Sequence, residues 1–398
     1  MAPTARKPLG PPPAFLTPTD DALHSALSAL QEREQLRRAM LNDARMQVHM
    51  PMGEPVHGGA GKDDKDWFAV AAGTARDNAS KNRYGDIIAY DRTRCLPPLR
   101  TTAASSEPDY VNASLVREPD LGFDEVVLPR RWWVAAQAPV AHTVHDFLSL
   151  LLAPPSSFAY RHSAPAAPPL PLINLVVQLT PLVEGRRQKC HPYFASAVGE
   201  RVCLLNPTAE PGQGVWVRLD KQEARDGART SELHIGREDD PHGRRVVHVE
   251  YLGWRDHGVP DSPAHLVAFI HRIHALNASL SGPGAPAAPI LLHCSAGVGR
   301  TGTFIALSAL LPLLSHLARV PDAGAAAGLP TPPADAAHPL GAYPADRLLG
   351  ERGPDYVGAT VDGLRDQRTT MCQTVEQVRW VWEAARAAWE EGMVDPPE

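Results

Sequence analysis

The sequence predicts an α/β fold, with a twisted mixed β-sheet flanked by helices on both faces. Three observations lead there. Ile173–Leu182 (INLVVQLTPL) and Ala288–Leu292 (APILL) are apolar runs of strand length, the pattern of strands buried in a parallel sheet. Val202–Leu205, Gly214–Leu219 and Ser231–Ile235 are short strand-like runs joined by polar, Gly-rich links, which favours antiparallel pairing. Phe304–Leu314 follows a Gly-rich loop and is apolar throughout, as expected of a helix buried against the sheet.

Composition narrows the class. The 398 residues can hold one large domain or two modest ones, and 43% are hydrophobic, enough for a sizeable core. A net charge of −6 with scattered basic residues excludes a nucleic-acid binder. The five cysteines (Cys95, Cys190, Cys203, Cys294 and Cys372) are odd in number and lack CxxC spacing. That argues against a disulfide framework and a structural zinc site, and for a reducing compartment. A cytoplasmic location is therefore expected, with the nucleus left open. The first fifteen residues lack the apolar core of a signal peptide. No membrane span is expected, because the longest apolar candidate, Phe304–Leu317, is interrupted by Pro312.

In chain order, residues 1–20 are Pro-rich and read as disordered. Asp21–Arg45 reads as an amphipathic helix that packs on the domain edge through Leu23, Leu27, Leu30, Met40 and Leu41. Gln47–Lys65 is a connector, and Trp67–Ala75 begins a second short helix. Lys81–Ile87 (KNRYGDI) is a polar turn. Asp109–Leu115 and Trp132–Pro139 read as strands, and His142–Leu152 as an apolar helix. An Ala/Pro/Ser-rich insertion follows at about 154–171. After the first apolar strand comes the charged turn EGRRQKC. Val246–Tyr251 alternates as a strand, and Asp261–Asn277 reads as a helix. A second insertion is expected at about 319–344, rich in Ala, Pro and Gly. Val361–Gln377 is a polar helix and turn, and Val375–Glu391 a closing helix. The domain reading is a tail at 1–20, helix and connector at 21–60, one catalytic domain at 61–393, and a tail at 394–398.

The chemistry is carried by His293–Gly302, HCSAGVGRTG. It lies between an apolar strand and a helix N-terminus. A Gly-rich loop there can turn successive N–H groups inward as an anion nest. The helix end adds free donors and partial positive charge. Arg300 adds a two-pronged guanidinium suited to phosphate oxygens. The same groups favour a thiolate at Cys294, and so nucleophilic attack by sulfur on a bound phosphate monoester.

These ten residues resemble the signature loop of the cysteine-dependent protein tyrosine phosphatases, His-Cys-x5-Arg. Four further stretches match the family in order, and the resemblance covers roughly residues 61–393. It implies that KNRYGDI walls the phosphotyrosine pocket, with Tyr84 stacked on the substrate ring and Asp86 accepting from the substrate backbone. Gly85 departs from the larger residue common there. The turn AQAP at residues 136–139 replaces TQGP, a drift in a structural element. Glu184 is expected to hold Arg300 in its phosphate-binding rotamer, with Lys189 near the general acid.

The stretch from Trp254 to Asp261 (WRDHGVPD) resembles the family's mobile loop, which makes Asp256 the general acid. Arg255 replaces the loop's usual proline. It frees the hinge and places a cation beside the acid, so slower or differently gated closure and an acid-side pH optimum are expected. Gln373 is expected to position the hydrolytic water with Gln377 as its partner, both on the substrate side. Arg365 is a candidate contact for a second acidic group on the substrate, and Arg368 is expected to be structural. His293 and Trp254 are supporting residues. The phosphate cradle is Ser295, Ala296, Gly297, Val298, Gly299 and Arg300, and Thr301 donates to the leaving sulfur.

The implied activity is hydrolysis of phosphotyrosine in proteins through a phosphocysteine, without metal or cofactor. A phosphotyrosine-binding pseudophosphatase and a dual-specificity phosphatase are the alternatives. Oxidation sensing by Cys294 is compatible with catalysis. Implied partners are phosphotyrosine-containing proteins, with mitogen-activated protein kinases among the candidates. Arg37–Leu41 (RRAML) is a candidate docking motif for such kinases.

Overall fold

The structure is a computed structural model that describes residues 9–48, 67–99, 110–155, 169–205, 213–254, 258–320, 330–333 and 338–396. Its strands are β1 (Ala113–Arg117), β2 (Trp132–Ala136), β3 (Leu175–Gln178), β4 (Val183–Glu184), β5 (Arg187–Gln188), β6 (Arg201–Leu204), β7 (Val215–Arg225), β8 (Ala228–Arg237), β9 (Arg244–Tyr251) and β10 (Ile290–His293). The helices are α1 (Asp20–Val48), α2 (Ala71–Thr74), α3 (Val144–Ser149), α4 (Pro263–Ser281), α5 (Gly299–Arg319), α6 (Ala345–Leu348), α7 (Tyr356–Gln367) and α8 (Val375–Glu390).

Eight strands form one sheet in the order β1-β2-β10-β3-β9-β8-β7-β6, while β4 and β5 pair as a separate hairpin. The sheet is mixed as expected. β2, β10, β3 and β9 run parallel at its centre, and the pairs towards both edges are antiparallel. The apolar runs Ile173–Leu182 and Ala288–Leu292 supply β3 and β10, buried along their whole length.

Alternation decides which helix each strand residue meets. Trp133, Ala135, Leu175, Val177, Ile290 and Leu292 face a core shared with α4, α5, α7 and α8. Val134, Ala136, Val176 and Leu291 face the opposite core, which includes Val144, Phe147 and Leu148 of α3. Helices therefore cover both faces. Among the described residues α5 is long and apolar enough to cross a membrane, but 83% of that stretch is buried inside the domain. It is the core helix, and each buried Leu there contributes about 1.5–3 kcal/mol. It runs through Pro312 without a break, which corrects the reading of Pro312 as an interruption.

The N-terminus differs from expectation. Residues 1–8 lie outside the described residues, but Ala14–Leu16 forms a 3₁₀ turn whose Phe15 and Leu16 are only 1% and 2% exposed. Phe15 packs edge-on to Tyr356, and the Trp389 indole donates to the Gly10 carbonyl at 2.8 Å. The disorder read over 1–20 is thus corrected from residue 9 onward: two apolar residues in a Pro-rich stretch suffice to anchor it. In α1, Leu27, Leu30 and Leu41 are buried and Leu23 is half-buried. Arg37 is buried too, bonded to Asp362 and Asp366, so of RRAML Arg37 and Leu41 are turned inward while Arg38 and Ala39 stay exposed. Most of the connector and of the first insertion, and half of the second, lie outside the described residues, as do Arg255, Asp256 and His257.

The most extended piece of the sheet is the β7–β8 hairpin. Asp226 and Gly227 both take positive φ (52° and 69°), the two-residue turn that Asp-Gly favours.

Candidate active site

The loop 294–298 leaves the carboxyl end of β10, flanked by β2 and β3, where open α/β sheets place their ligands. Two glycines are required there. Gly297 has φ +72°, and a Cβ on it would lie 2.1 Å from the Ala136 carbonyl oxygen. A Cβ on Gly302 would lie 2.3 Å from the Cys372 nitrogen. Only glycine permits both approaches.

Behind the loop lies Arg368, which is fully buried. It donates to the carbonyls of Gly297 and Ala296 at 2.8 and 3.1 Å, to Ser114 Oγ at 3.1 Å and to Asn112 Oδ1 at 2.8 Å. The Ser295 carbonyl accepts from Ala138 N at 3.0 Å. The loop's carbonyls are thus tied to the scaffold. Its N–H groups turn to the other side, where Gly297 N–H meets Cys294 Sγ at 3.2 Å.

Cys294 is buried, which by itself raises a thiol pKa. The Thr301 hydroxyl and N–H, the Arg300 charge and Gly297 N–H outweigh that burial, and its pKa lies below the ordinary thiol value. The Thr301 hydroxyl is buried and has no other hydrogen-bond partner among the described residues. Arg300 Nη1 donates to Glu184 Oε1 at 2.5 Å and to the Leu179 carbonyl at 3.1 Å. Glu184 in turn accepts from Thr180 Oγ1 at 3.1 Å, and Lys189 Nζ stands 3.9 Å from its other oxygen. The β4–β5 hairpin, closed by Gly185 and Arg186 at positive φ, delivers this carboxylate.

His293 extends a buried chain beneath the thiol. Its Nδ1 donates to the Cys294 carbonyl at 3.0 Å, so its Nε2 accepts from Tyr193 O–H at 2.9 Å. Tyr193 Oη accepts from His248 Nε2 at 2.7 Å. Burial drives His293 to about 4 and His248 to about 3, so both rings are neutral at pH 7. The sequence reading missed Tyr193 and His248, which lie far from the signature in the chain and carry no local pattern.

On the substrate side, Tyr84 O–H donates to Ser295 Oγ at 2.9 Å, and that hydroxyl donates to the Lys189 carbonyl at 2.9 Å. Gln137, in the AQAP turn, holds the tyrosine loop at both ends of its amide: it accepts from Arg83 N–H at 2.9 Å and donates to the Lys81 carbonyl at 2.6 Å. Asp86 is exposed beside Tyr84. Gln373 and Gln377 converge on Gly299: a Cβ there would lie 3.0 Å from Gln377 Nε2 and 3.5 Å from Gln373 Oε1. Gln377 also completes a capping box with Thr374 at the start of α8. Trp254 is buried, and its indole donates to the Gly258 carbonyl at 3.3 Å. Asp256, between them, lies outside the described residues.

Arg365 lines a cleft together with Glu34, Arg38 and Gln373. It is buried, and donates to the carbonyls of Met371, Cys372 and Leu30 at 2.9, 3.0 and 3.1 Å. Three of its five N–H groups are thereby bonded to backbone, which fixes its place in the wall of that cleft. Among the described residues no cluster of three or more His, Cys, Asp or Glu side chains could hold a metal ion.

Comparison with known proteins agrees with this geometry. The family model Protein-tyrosine phosphatase matches residues 78–154 and 172–323, more than half of the chain. Tyrosine-protein phosphatase 1 of Caenorhabditis elegans is 28% identical over 320 residues, 80% of this chain and 24% of that protein. Human Tyrosine-protein phosphatase non-receptor type 4 is 27% identical over 320 residues, 80% of this chain and 26% of its own. Human Receptor-type tyrosine-protein phosphatase C is 32% identical over 241 residues, 59% of this chain and 15% of its own. The chain spans about a quarter of the length of the first two. With the signature loop and the Glu184–Arg300 pair in place inside the matched region, the chain belongs to the protein-tyrosine phosphatase family.

Proposed function

We propose that this chain hydrolyses phosphotyrosine in proteins through a phosphocysteine intermediate. The observation that carries the reading is the Cys294 thiol, held below its ordinary pKa by the Thr301 hydroxyl and N–H, the Arg300 charge and the Gly297 N–H. In the first step the Cys294 thiolate forms a bond to phosphorus and the bond to the tyrosine oxygen breaks. Arg300 and the amides of 295–300 stabilise the phosphoryl oxygens, and Asp256 delivers its proton to the leaving phenolate. In the second step Gln373 orients a water and Asp256 takes its proton. The water oxygen bonds to phosphorus as the phosphorus–sulfur bond breaks, inorganic phosphate leaves, and the Thr301 hydroxyl stabilises the returning thiolate. Electrostatic preorganisation of the loop supplies most of the acceleration.

Tyr84 stacks on the substrate ring, an arrangement worth about 0.5–1.5 kcal/mol beyond burial, and Asp86 accepts from the peptide backbone. Tyr84 also sets pocket depth, which favours phosphotyrosine over the shorter phosphoserine. Phosphotyrosine proteins are the proposed substrates, with mitogen-activated protein kinases among the candidates. Five free cysteines, one of them the exposed Cys203, support a reducing location such as the cytoplasm.

The test is steady-state hydrolysis of a phosphotyrosine peptide against pH, beside Cys294→Ser and Asp256→Ala. Turnover should vanish in the first and fall strongly in the second. A parent that binds the peptide without turnover would make the chain a phosphotyrosine-binding module. Equal turnover of a phosphoserine peptide would make it a dual-specificity enzyme.

A further inference from the structure

We propose that α1 is a strut that sets the position of the substrate-recognition loop, with Arg45 as the positioning residue. The inference rests on the reading of Tyr84 and Asp86 as substrate contacts. Arg33, Arg37, Leu41 and Arg45 recur every fourth residue and share one face of α1. Each meets a different part of the domain.

Arg33 is bound to Asp362 at 2.9 Å and donates to the carbonyls of Leu340 and Gly341 at 2.9 and 3.0 Å. Those carbonyls belong to the end of the second insertion, which crosses α1 as a strap. Arg37 is bound to Asp362 at 2.7 Å and to Asp366 at 2.5 Å. Leu41 packs with Phe68, Ile88 and Tyr110 directly under the recognition loop, and Tyr110 O–H bonds Asn82 of that loop at 2.7 Å. At the end of the face, Arg45 Nη2 donates to the Gly85 carbonyl at 3.1 Å. The stripe from Arg33 to Arg45 spans ~18 Å.

Gly85 is where the loop needs an outside anchor. It is exposed, and a Cβ on it would meet nothing within 4 Å. A turn bond from Ile87 N–H to the Tyr84 carbonyl at 3.2 Å closes across it, and glycine leaves the peptide within that turn with little steric restraint of its own. Arg45 fixes its carbonyl and thereby the direction of the Asp86 side chain. α1 and residues 338–343 lie outside the segments matched by the family model, while Gly85 lies inside them.

The experiment measures kcat and KM for a phosphotyrosine peptide and for p-nitrophenyl phosphate, which has no peptide backbone. The variants are Arg45→Ala, Arg45→Lys and Asp86→Ala. Arg45→Ala should raise peptide KM about three- to tenfold, the range for one hydrogen bond. It should leave kcat and the p-nitrophenyl phosphate constants near the parent values, and Arg45→Lys should restore part of the loss. An unchanged peptide KM in Arg45→Ala, while Asp86→Ala raises it, overturns the strut alone. So does an equal loss on both substrates, which would indicate general loosening. An unchanged KM in Asp86→Ala overturns the substrate reading and the strut with it.

Discussion

The Arg368 guanidinium donates to the Gly297 carbonyl oxygen at 2.8 Å from behind the signature loop, with no carboxylate as its hydrogen-bond partner among the described residues. Burial pulls its pKa down to about 10, so it stays a cation at neutral pH. Its partners are all neutral acceptors, held in the geometry that turns the loop's N–H groups forward. Arg368→Ala orphans several buried acceptors at about 1–3 kcal/mol each. We expect a loss of several kcal/mol in urea denaturation and a fall in kcat. Arg368→Lys, with one point donor in place of a planar fork, should recover stability better than kcat. Parent-like kcat in the lysine variant would show that the loop holds its shape unaided.

Glu184 acts through Arg300. A charge-assisted bond of this type is worth about 1.5–3 kcal/mol, so Glu184→Gln should lower kcat/KM roughly tenfold to a hundredfold. The loss should fall on phosphate recognition, so weaker inhibition by inorganic vanadate or phosphate is expected in parallel. Undiminished oxyanion inhibition would separate Glu184 from Arg300.

The thiol's depressed pKa depends on Thr301 more than on Arg300, in the order their contributions fall. Removing the hydroxyl in Thr301→Val leaves burial less opposed, so the Cys294 pKa should rise towards the ordinary thiol value. Alkylation by iodoacetamide reports the thiolate fraction. Its midpoint should move to higher pH in Thr301→Val, while Ser295→Ala leaves it in place. A midpoint that does not move would assign the shift to the backbone donors.

Much of this was legible in the sequence, for physical reasons that vary by residue. β3 and β10 announced themselves because both faces are buried, which makes an unbroken apolar run. The outer halves of β7 and β8 did not: residues 221–225 are exposed, so the apolar signal ends at Leu219. Asp226-Gly227 was the remaining clue. Cys294 and Arg300 were visible because their types and spacing encode chemistry; Glu184 sits in a charged turn that says nothing by itself and was named only through the family resemblance. Arg365 was named only through the family resemblance; α7 ties it to the Met371 and Cys372 carbonyls, at a cleft it shares with Gln373. The His293–Tyr193–His248 chain joins three distant strands and loops, a proximity only the fold creates.

Asp355 predicts a pH signature. Its carboxyl is fully buried at the N-terminus of α7, accepting from Gly358 N–H at 2.8 Å and Tyr343 O–H at 2.7 Å. Burial raises its pKa to about 6; those two donors oppose the rise and the Asp362 charge adds to it. In the unfolded chain it titrates near 3.9. Between about pH 4 and 6 the folded state therefore binds more protons than the unfolded state, and the stability gained from the neutral acid is lost as pH rises through that window. Asp355→Asn keeps a good N-cap without the buried charge. Its stability relative to the parent should rise from pH 4 to pH 7 by up to roughly 2–3 kcal/mol. Urea denaturation of both proteins at the two pH values measures this difference, with other titrating groups common to both. Parallel pH dependence would mean that Asp355 ionises as an ordinary carboxyl.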